Sequence, residues 1–464
     1  MTINSSIFKA YDIRGTYPDQ LDEDAVDHIV RAIYTFFKKD IGKEQLTIVL
    51  GRDMRLSSPA LHERATKALV EMGARVIDIG LVPTTTVYFT VMHGKYDAGI
   101  QISASHNPGN YNGIKFLKFD GQKIVKIAEN NGMEEVKRIA LDQSFAQRQE
   151  GGSIEHKTNA LPEEIDAAFD AVQPQIRNMK IVADAANAMG ALILTEIEKK
   201  TDIDLIKMNF DLDGTFPSHQ ADPLQFSLWK ELQKRVVEEK ADIGIMPDGD
   251  SDRIFFVDET GEIIPATLIT ALITKEILQK HPQEKVVVDI RYIRNVQAVV
   301  QKYNGKMSIS RVGHSLITPQ VNQERAYFAG ESSGHYYFLK TGGAESSARV
   351  ILHVLSALSK SRTTISQLLK EFKTSVESGE TNFKLHEAVT ADHVMQSIKA
   401  DFSDGEFTDL DGISVSYPDW RFSIRSSNTE PLLRLNVEGT TADLVREKVT
   451  DLTQKIITCG AEIE

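Results

Sequence analysis

The sequence predicts an α/β protein of several domains whose last domain is of the α+β type. One observation is the length, because 464 residues exceed what a single hydrophobic core organises and favour three or four domains. A second is the alternation of short apolar runs with helical patterns over much of the chain. A third is a change beyond about residue 372 to a helix, several strands and a final helix.

The first unit has the pattern of parallel α/β structure. Its predicted strands include Thr47–Leu50, Arg75–Ile79 and Ala98–Ile102, and a helical pattern covers Pro59–Met72. A polar stretch with paired glycines, Gly151 and Gly152, indicates a boundary. We therefore expect the first domain at residues 1–152.

Two further α/β units are expected at residues 153–258 and 259–371. The predicted elements of the second are the strands Lys180–Ala183 and Ala241–Met246, the helix Phe226–Glu239 and a hairpin of Ile254–Val257 with Glu262–Ile264. Those of the third are the strands Lys285–Asp289, Met307–Ser310 and Ala326–Gly330 and the helix Ser346–Ser359. A weak internal repeat supports this division, because an apolar run enters a polar loop in each of the three units. Open α/β sheets place their sites in such loops, so three of them facing one cleft would form a composite site.

The last unit, expected at residues 372–464, lacks the α/β alternation. Its predicted elements are the helices Ala391–Asp401 and Ala442–Thr458 and the strands Ile413–Tyr417, Phe422–Arg425 and Leu432–Val437. This order favours an α+β domain.

Composition and charge exclude several classes of partner. The apolar content of 41% with 26% charged residues is ordinary for a globular protein. A net charge of -13 repels nucleic acid and anionic membranes, so an anionic substrate requires a local cluster of Arg and Lys. We find no leader-like start and no apolar run of spanning length, and the single cysteine, Cys459, fits a reducing compartment. We therefore expect a cytoplasmic protein with no nucleic-acid or membrane partner, either a monomer or a homodimer.

The loop after Ala98–Ile102 contains a candidate nucleophile, Ser105. A serine hydroxyl needs a base and positive charge nearby to transfer a phosphoryl group, and His106 and Lys115 are close in sequence. The same composition is also typical of an ordinary turn, and Lys115 could be a solvated surface charge.

The loop after Ala241–Met246 contains a candidate metal site. Asp248, Asp250 and Asp252 occupy alternate positions, and their carboxylates would repel one another unless they bind a common divalent cation. An EF-hand is rejected because Arg253 stands where that loop needs glycine and the flanking segments are strand-like. Three carboxylates with open coordination positions suit Mg²⁺ together with a phosphate oxygen. Arg253 would hold a neighbouring phosphate oxygen, or it forms only a surface salt bridge.

Two later loops and one early residue are weaker candidates. Glu331 and Ser333 could bind vicinal sugar hydroxyls, although these residues are also typical of a turn. The loop Arg425–Pro431 offers guanidinium, hydroxyl and amide donors that suit a phosphate dianion, or it is a plain polar hairpin. Arg14 alone would be interpreted as a surface arginine.

Together these loops resemble those of the α-D-phosphohexomutases in order and spacing, from Tyr11 to the last helix. The resemblance implies four domains around a central cleft, three related α/β mixed-sheet domains and a C-terminal α+β domain. The implied catalytic residues are Ser105, as phosphoserine, with His106, Lys115, Arg14 and Arg253. The implied substrate-binding residues are Gly313, His314, Glu331, Ser333, Arg425, Ser427, Asn428 and Thr429. The implied metal ligands are Ser105, Asp248, Asp250 and Asp252.

Within that family the chain is most similar to the phosphomannomutase/phosphoglucomutase type. The resemblance rests on Tyr11–Gly15 and the Arg-x-Ser-Asn-Thr loop at Arg425, and the run from Asp411 to Glu438 is similar to bacterial phosphomannomutases. Ser251 stands where glycine is common in the family, which we expect to matter little because its side chain is not a ligand.

The implied reaction is the interconversion of hexose 6-phosphate and hexose 1-phosphate. Phosphoserine 105 would give its phosphate to the free hydroxyl, and the hexose 1,6-bisphosphate would turn over and return the other phosphate. One Mg²⁺ per chain and hexose 1,6-bisphosphate are the implied cofactors, with Lys115 or His106 as the proton-transfer group. Glu331 and Ser333 would contact O3 and O4 but not the hydroxyl at C2, where mannose and glucose differ, so that both sugar phosphates could be substrates.

Three alternatives stay open at this point. They are a phosphoglucosamine mutase, a non-catalytic sugar phosphate sensor, and a magnesium-dependent phosphatase with Asp248 as its nucleophile. A sensor need not keep Ser105, the three aspartates and Arg425, which argues against it. A phosphatase would release free phosphate and would not require a bisphosphate.

Overall fold

Four separate sheets form within residues 3–387, 389–426 and 432–464, which are the residues described by the computed structural model. The first three sheets mix parallel and antiparallel strands, and the fourth is antiparallel. The predicted order of three α/β domains and one α+β domain is therefore confirmed.

The first domain is built on the strand order β1-β5-β4-β2-β3-β7, with β6 beside β5. Its strands are β1 (Ile13–Thr16), β2 (Thr47–Arg52), β3 (Arg75–Leu81), β4 (Ala98–Ile102), β5 (Tyr111–Phe119), β6 (Ile124–Lys126) and β7 (Ser153–His156). Its helices are α1 (Glu23–Ile41), α2 (Ser58–Glu71), α3 (Thr84–Gly94) and α4 (Met133–Asp142). The parallel strands β2, β3 and β4 match the predicted ones, whereas β5 returns antiparallel to β4. The loop that joins β4 to β5 contains Ser105.

Helix α1 illustrates why these segments become helices. The side chain of Asp22 accepts a hydrogen bond from the Ala25 amide at 2.8 Å and caps the first turn. Gly42 ends the helix with a φ of 75°, a left-handed conformation that costs glycine little. One face of the helix is apolar and packs into the core of the first domain.

The second domain has the strand order β12-β11-β10-β8-β9. Its strands are β8 (Lys180–Asp184), β9 (Asp204–Met208), β10 (Ile243–Pro247), β11 (Ile254–Val257) and β12 (Ile263–Ile264). Its helices are α5 (Ala160–Val172), α6 (Gly190–Glu198) and α7 (Lys230–Glu239). The predicted hairpin is confirmed, because β11 and β12 pair antiparallel.

The third domain has the strand order β14-β13-β15-β16. Its strands are β13 (Lys285–Asp289), β14 (Lys306–Ser310), β15 (Phe328–Gly330) and β16 (Tyr336–Phe338). Its helices are α8 (Ala266–Lys280), α9 (Arg294–Lys302), α10 (His314–Glu324), α11 (Ser347–Ser361) and α12 (Ile365–Leu369). One continuous apolar core joins the second and third domains, from Leu161 to Phe372.

Two sheets extend past the domain limits expected from the sequence. Strand β7 pairs with β3 in the first sheet although it lies beyond residue 152, and β12 continues the second sheet beyond residue 258. The side chains of β7 are all exposed, so this strand lacks the apolar pattern that would have revealed it.

The fourth domain has the strand order β18-β19-β20-β21-β17-β22 and its own apolar core. Its strands are β17 (Val376–Leu385), β18 (Glu406–Thr408), β19 (Ile413–Ser416), β20 (Trp420–Ser426), β21 (Leu432–Gly439) and β22 (Ala461–Ile463). Its helices are α13 (Ala391–Asp401) and α14 (Ala442–Thr458), both as predicted. Strand β17 was not predicted, because it is polar and mostly half-buried and has no clear apolar alternation.

The fourth domain docks on the third through charged groups. The Glu438 carboxylate accepts hydrogen bonds from the amides of Ile293 and Arg294, at 2.8 and 3.1 Å, at the amino end of α9. The same carboxylate pairs with Arg421 at 3.1 Å, and Arg421 also donates to the Ile290 carbonyl at 2.8 Å. These contacts hold β20 and β21 beside the loops of the third domain.

Candidate active site

Three of the predicted loops follow the carboxyl ends of β4, β10 and β15 and meet one another. The loop after β4 contains Ser105, the loop after β10 contains Asp248, and the loop after β15 contains Glu331. An antiparallel bridge between Arg253 and His335 joins the second loop to the third. The composite site expected from the sequence therefore forms from three domains.

Ser105 lies buried at the contact between the first and second domains. Its hydroxyl donates a hydrogen bond to Asp248 Oδ2 at 2.9 Å and lies 3.1 Å from Nδ1 of His106. Its backbone has a φ of 52°, and its amide donates to the hydroxyl of Ser103 at 3.0 Å. A non-glycine residue in the left-handed region is uncommon and is often held at functional sites.

Arg55 fixes the shape of the Ser105 loop, although the sequence analysis did not single it out. The guanidinium donates to four backbone carbonyls at 2.6 to 2.9 Å, those of Ser105, Asn107, Pro108 and Tyr111. It is fully buried and paired with Asp53 at 3.2 Å. The planar guanidinium of Arg55 thus donates hydrogen bonds to buried carbonyls that would otherwise have no donor.

The three aspartates after β10 form a buried cluster. One carboxylate oxygen from each of Asp248, Asp250 and Asp252 lies within 4.8 Å of the others. Burial and the two neighbouring carboxylates raise the pKa of Asp248 well above its usual range. Oδ1 of Asp250 is buried and has no hydrogen-bond partner among the described residues, and Oδ1 of Asp252 lies 3.5 Å from Nε2 of His335. Three buried carboxylates this close together, one of them with an oxygen that lacks a partner among the described residues, fit a hard divalent cation such as Mg²⁺.

Gly249 allows the acidic loop to approach Ser105 closely. A Cβ at this position would lie 2.2 Å from the carbonyl oxygen of Ser105, far inside van der Waals contact. Only glycine therefore lets the two loops adopt the observed separation.

Lys115, on β5, supplies a positive charge to the cluster. Its Nζ donates to Asp250 Oδ2 at 2.5 Å and to Asp252 Oδ2 at 2.7 Å. Although burial opposes the charged form, the two carboxylates hold the pKa of Lys115 well above its usual range. Lys115 is therefore a fixed cation here, and not the solvated surface charge that the sequence left open.

His106, in contrast to the cationic Lys115, is held in its neutral form. Burial, with Arg253 and Arg14 nearby, lowers the pKa of its imidazole well below the usual range. A neutral imidazole next to a serine hydroxyl can accept a proton, which a cationic lysine cannot.

Two arginines complete the positive side of the site. Arg14 pairs with Asp12 at 2.7 Å and donates to Asn107 in the Ser105 loop. The Arg253 amide donates to Asp248 Oδ1 at 3.1 Å, while its buried Nη1 has no acceptor among the described residues. A buried guanidinium with a spare donor suits an incoming phosphate oxygen.

The loop after β15 contains a residue that the sequence analysis passed over, His335. Nδ1 of His335 lies 3.1 Å from Glu331 and 3.0 Å from the Ser333 hydroxyl, and Nε2 lies 3.5 Å from Asp252. Although burial opposes the charge, the hydrogen bond to Asp252 raises the pKa of His335 to about 9. His335 thus links the candidate sugar contacts to the acidic cluster. Its place in the same loop as Glu331 and Ser333 could have marked it as a site residue, although not its contact with Asp252.

Glu331 is held as an anion. Although burial opposes ionisation, the hydrogen bond to His335 lowers the pKa of Glu331 below its usual range, and Arg291 lies 3.3 Å away. The Tyr337 hydroxyl donates to the same carboxylate at 3.0 Å. A fixed, ionised carboxylate is a suitable acceptor for sugar hydroxyls.

Gly313 and His314 lie at the start of α10, facing Tyr11. The rings of Tyr11 and His314 are 5.2 Å apart, and a Cβ on Gly313 would lie 2.9 Å from the Tyr11 hydroxyl. Burial lowers the pKa of His314 well below its usual range, and its Nδ1 has no hydrogen-bond partner among the described residues. The amide of the preceding Val312 donates to Asp411 of the fourth domain at 3.0 Å.

Arg425 lies at the end of β20 and is buried. Its Nη2 donates to Glu380 at 2.9 Å, and its buried Nε has no acceptor among the described residues. Burial, with Arg291 of the third domain as the next cause, lowers the pKa of Arg425. The other predicted phosphate-loop residues, Ser427, Asn428 and Thr429, lie outside the described residues.

Comparison with known families gives matches along nearly the whole chain. The models of phosphoglucomutase/phosphomannomutase alpha/beta/alpha domains I, II and III match residues 5–142, 159–261 and 266–375. The model of the C-terminal domain of the same family matches residues 380–455.

Known proteins agree with this assignment. A phosphomannomutase of Vibrio cholerae is 35% identical over 97% of this chain and 98% of its own length. A phosphomannomutase of Methanocaldococcus jannaschii is 33% identical over 98% of this chain and 99% of its own. The crystal structure of a phosphoglucomutase/phosphomannomutase family protein from Burkholderia thailandensis has a TM-score of 0.88 and 28% identity, with both chains fully covered.

The fold and the site define a phosphosugar mutase of four domains. The chain belongs to the phosphoglucomutase/phosphomannomutase family. More distant structures share the fold, among them an Aspergillus fumigatus N-acetylphosphoglucosamine mutase in complex with GlcNAc-6P and magnesium. That structure has a TM-score of 0.63 and 13% identity, with 99% of this chain and 96% of the other covered. Among the described residues, we find no helix with the length and apolarity needed to cross a membrane.

Proposed function

We propose that this chain interconverts hexose 6-phosphate and hexose 1-phosphate, with mannose phosphates as substrates and glucose phosphates also accepted. The observation that carries the proposal is the hydrogen bond of 2.9 Å between Ser105 and Asp248. It places a serine hydroxyl beside three carboxylates, Lys115 and two arginines, as phosphoryl transfer requires. Relatives at 35% and 33% identity that are named phosphomannomutases support the choice of sugar.

In this mechanism Ser105 carries the phosphoryl group. When the phosphoryl group passes from Ser105 to the sugar, His106, neutral and 3.1 Å from the serine hydroxyl, accepts the proton of the attacking sugar hydroxyl and gives it to the serine oxygen. When the group returns to Ser105, His106 carries the proton back to the sugar oxygen. Lys115, Arg14 and Arg253 neutralise the charge on the transferring group.

The candidate cation site would be formed by Asp248, Asp250 and Asp252 together with the oxygen on Ser105. When bound, Mg²⁺ would supply Lewis-acid polarisation of the phosphoryl oxygens. A distant relative by fold has been crystallised with magnesium, and another structure of that enzyme contains glucose 1,6-bisphosphate, which supports both cofactors. Hexose 1,6-bisphosphate would act here as activator and intermediate.

The sugar would lie between the third and fourth domains. Glu331 and Ser333 would bind O3 and O4, and Gly313 and His314 would assist from the start of α10. Arg425, with its buried spare Nε, would hold the phosphate that is not reacting. Since C2 is not contacted by these groups, mannose and glucose phosphates would both fit. We also propose a cytoplasmic location, supported by the single cysteine, Cys459.

The alternatives from the sequence are less favoured. A phosphoglucosamine mutase is disfavoured because the relatives at 35% and 33% identity are phosphomannomutases, whereas the N-acetylphosphoglucosamine mutase is only 13% identical. A non-catalytic sensor would not need Ser105 held beside the carboxylates.

One experiment separates these functions. Isomerisation and phosphate release are measured side by side for mannose 1-phosphate, glucose 1-phosphate and glucosamine 1-phosphate, with glucose 1,6-bisphosphate and Mg²⁺ present. We expect isomerisation of the mannose and glucose compounds, loss of turnover but not of sugar phosphate binding in Ser105→Ala, and loss of turnover on chelation. Phosphate release without isomerisation would instead indicate a phosphatase, and turnover in Ser105→Ala would remove the serine from the mechanism.

A further inference from the structure

A second cationic pocket lies at the junction of α5, α8 and α11, away from the site described above. Its lining includes Glu276, Lys280, Tyr327, Lys340, Arg349 and His353. Tyr327 lies before β15, whereas Glu331 follows that strand, and four residues of extended chain span about 13 Å. The pocket and the sugar loop are therefore at opposite ends of the same strand.

Arg349 is the central side chain of this pocket. Its guanidinium lies over the ring of Phe338 at 5.6 Å and makes no hydrogen bond to any of the described residues. The carboxyl of Glu164 interacts with Arg349 electrostatically but not through a hydrogen bond. Glu164 instead accepts a hydrogen bond from Thr86 at 2.6 Å. Burial lowers the pKa of Arg349, as expected for a cation whose lost hydration is not replaced.

The one carboxylate in the lining, Glu276, is already paired. It lies 3.0 Å from Nδ1 of His353 and accepts from Lys360 at 3.3 Å. Lys280 and Lys340 are exposed at the rim. Three basic side chains, Lys280, Lys340 and Arg349, therefore face the pocket without a carboxylate of their own, in a chain of net charge -13.

The dimensions indicate what such a pocket can hold. The volume that solvent can occupy is about 50 Å³. This is room for roughly four or five water-sized atoms, which corresponds to one phosphate group and not to a whole nucleotide. Guanidinium groups bind phosphate oxygens in a bidentate manner, and the lysines at the rim would add charge.

We infer that this pocket is a second ligand site, which binds the phosphate group of a small phosphomonoester or inorganic phosphate through Arg349, with Lys280 and Lys340 at its entrance. The rest of an esterified ligand lies outside, against the stacked rings of Tyr327 and His281, whose centroids are 5.1 Å apart. This site is independent of phosphoryl transfer at Ser105.

The test measures phosphate binding by titration calorimetry in a background that lacks the arginines of the candidate active site. In Arg14→Gln/Arg253→Gln/Arg425→Gln, saturable binding of inorganic phosphate should remain, with one phosphate per chain. Adding Arg349→Gln should weaken it at least tenfold, and adding Arg349→Lys should weaken it less. Arg325→Gln, which removes an exposed arginine of the same domain outside the pocket, is the matched control and should leave binding unchanged.

The choice of ligand is tested in the same background. Glycerol phosphate should bind within a few-fold of inorganic phosphate, and dimethyl phosphate, a monoanion with two blocked oxygens, at least tenfold more weakly. Loss of all saturable binding in the triple variant, or residual binding that Arg349→Gln leaves unchanged, would overturn the inference. Equal binding of dimethyl phosphate would contradict recognition of a phosphomonoester. Circular dichroism of each variant establishes that the compared proteins are folded.

Discussion

The hydroxyl of Ser105, in the first domain, donates to Asp248, in the second, across 2.9 Å. This one contact joins the candidate nucleophile to the candidate metal site, which lie 143 residues apart in the chain. Its geometry depends on the backbone of both loops, so residues that touch no substrate also affect the activity.

Gly249→Ala should abolish most of the mutase activity while the protein stays folded. The added Cβ would lie 2.2 Å from the Ser105 carbonyl oxygen, so the loops must separate. A displacement of about 1 Å at reacting groups can cost about 100-fold in rate, and we expect kcat to fall by at least that factor. Steady-state kinetics with mannose 1-phosphate measures it. Gly439→Ala, where the nearest atom would be a Val445 methyl at 3.2 Å, is the control and should keep near-normal kcat.

Arg55→Lys should lower kcat by at least about tenfold with little change in KM, because Arg55 positions the Ser105 loop and touches no substrate. An ammonium group cannot reproduce the planar set of donors to four carbonyls. Arg64→Lys, which alters an arginine of the same domain paired with Asp27 at 3.1 Å, should leave kcat unchanged. A rise in KM with unchanged kcat in Arg55→Lys would contradict the positioning role.

Ser251→Gly should stabilise the protein by about 0.5–1 kcal/mol without loss of activity. Ser251 has a φ of 63°, and a non-glycine residue in this left-handed conformation costs about 1–2 kcal/mol. Glycine removes that strain, but it also raises the entropy of the unfolded chain, which offsets part of the gain. The sequence-based expectation that this residue matters little considered only its side chain and neglected its backbone. Chemical denaturation measures the difference. Ser310→Gly, in the extended strand β14, is the control and should destabilise.

Glu377 should make stability fall as pH rises from about 5 to about 8. Burial raises the pKa of Glu377 from 4.5 to about 8, so the folded protein keeps a proton that the unfolded chain has released. The contribution is therefore complete below the unfolded value of 4.5 and is lost as pH rises through about 8. Denaturation midpoints between pH 6 and 9 should decline less in Glu377→Gln than in the wild type. Glu259→Gln is the control, because hydrogen bonds from Ser366 lower the pKa of Glu259 despite its burial, and it should leave that decline unchanged.

The fold was largely predictable because its strands and helices carry regular apolar patterns. The helices Ala391–Asp401 and Ala442–Thr458 and the strands after which the polar loops follow were all identified. Strand β7 is wholly exposed and β17 is polar, so neither has the alternation that marks a strand. Their pairing depends on neighbours distant in sequence.

The candidate site was predictable only where residue types cluster in one loop. The acidic loop and the Ser105 loop are such clusters, and the structure brings them together. Arg55 could not be found in this way, because its acceptors are backbone carbonyls, which every residue has. The role of His335 depends on Asp252 of another domain, a contact that spacing within one loop cannot reveal.

The most direct test of the central claim is to locate the phosphoryl group. The purified protein is incubated with Mg²⁺ and hexose 1,6-bisphosphate labelled with phosphorus-32, digested, and analysed by mass spectrometry, with Ser105→Ala treated in parallel. We expect one phosphoryl group per chain on Ser105, lost on addition of hexose 6-phosphate, and none on Ser105→Ala. Label on another residue, or full mutase turnover with Ser105 unlabelled, would contradict the mechanism.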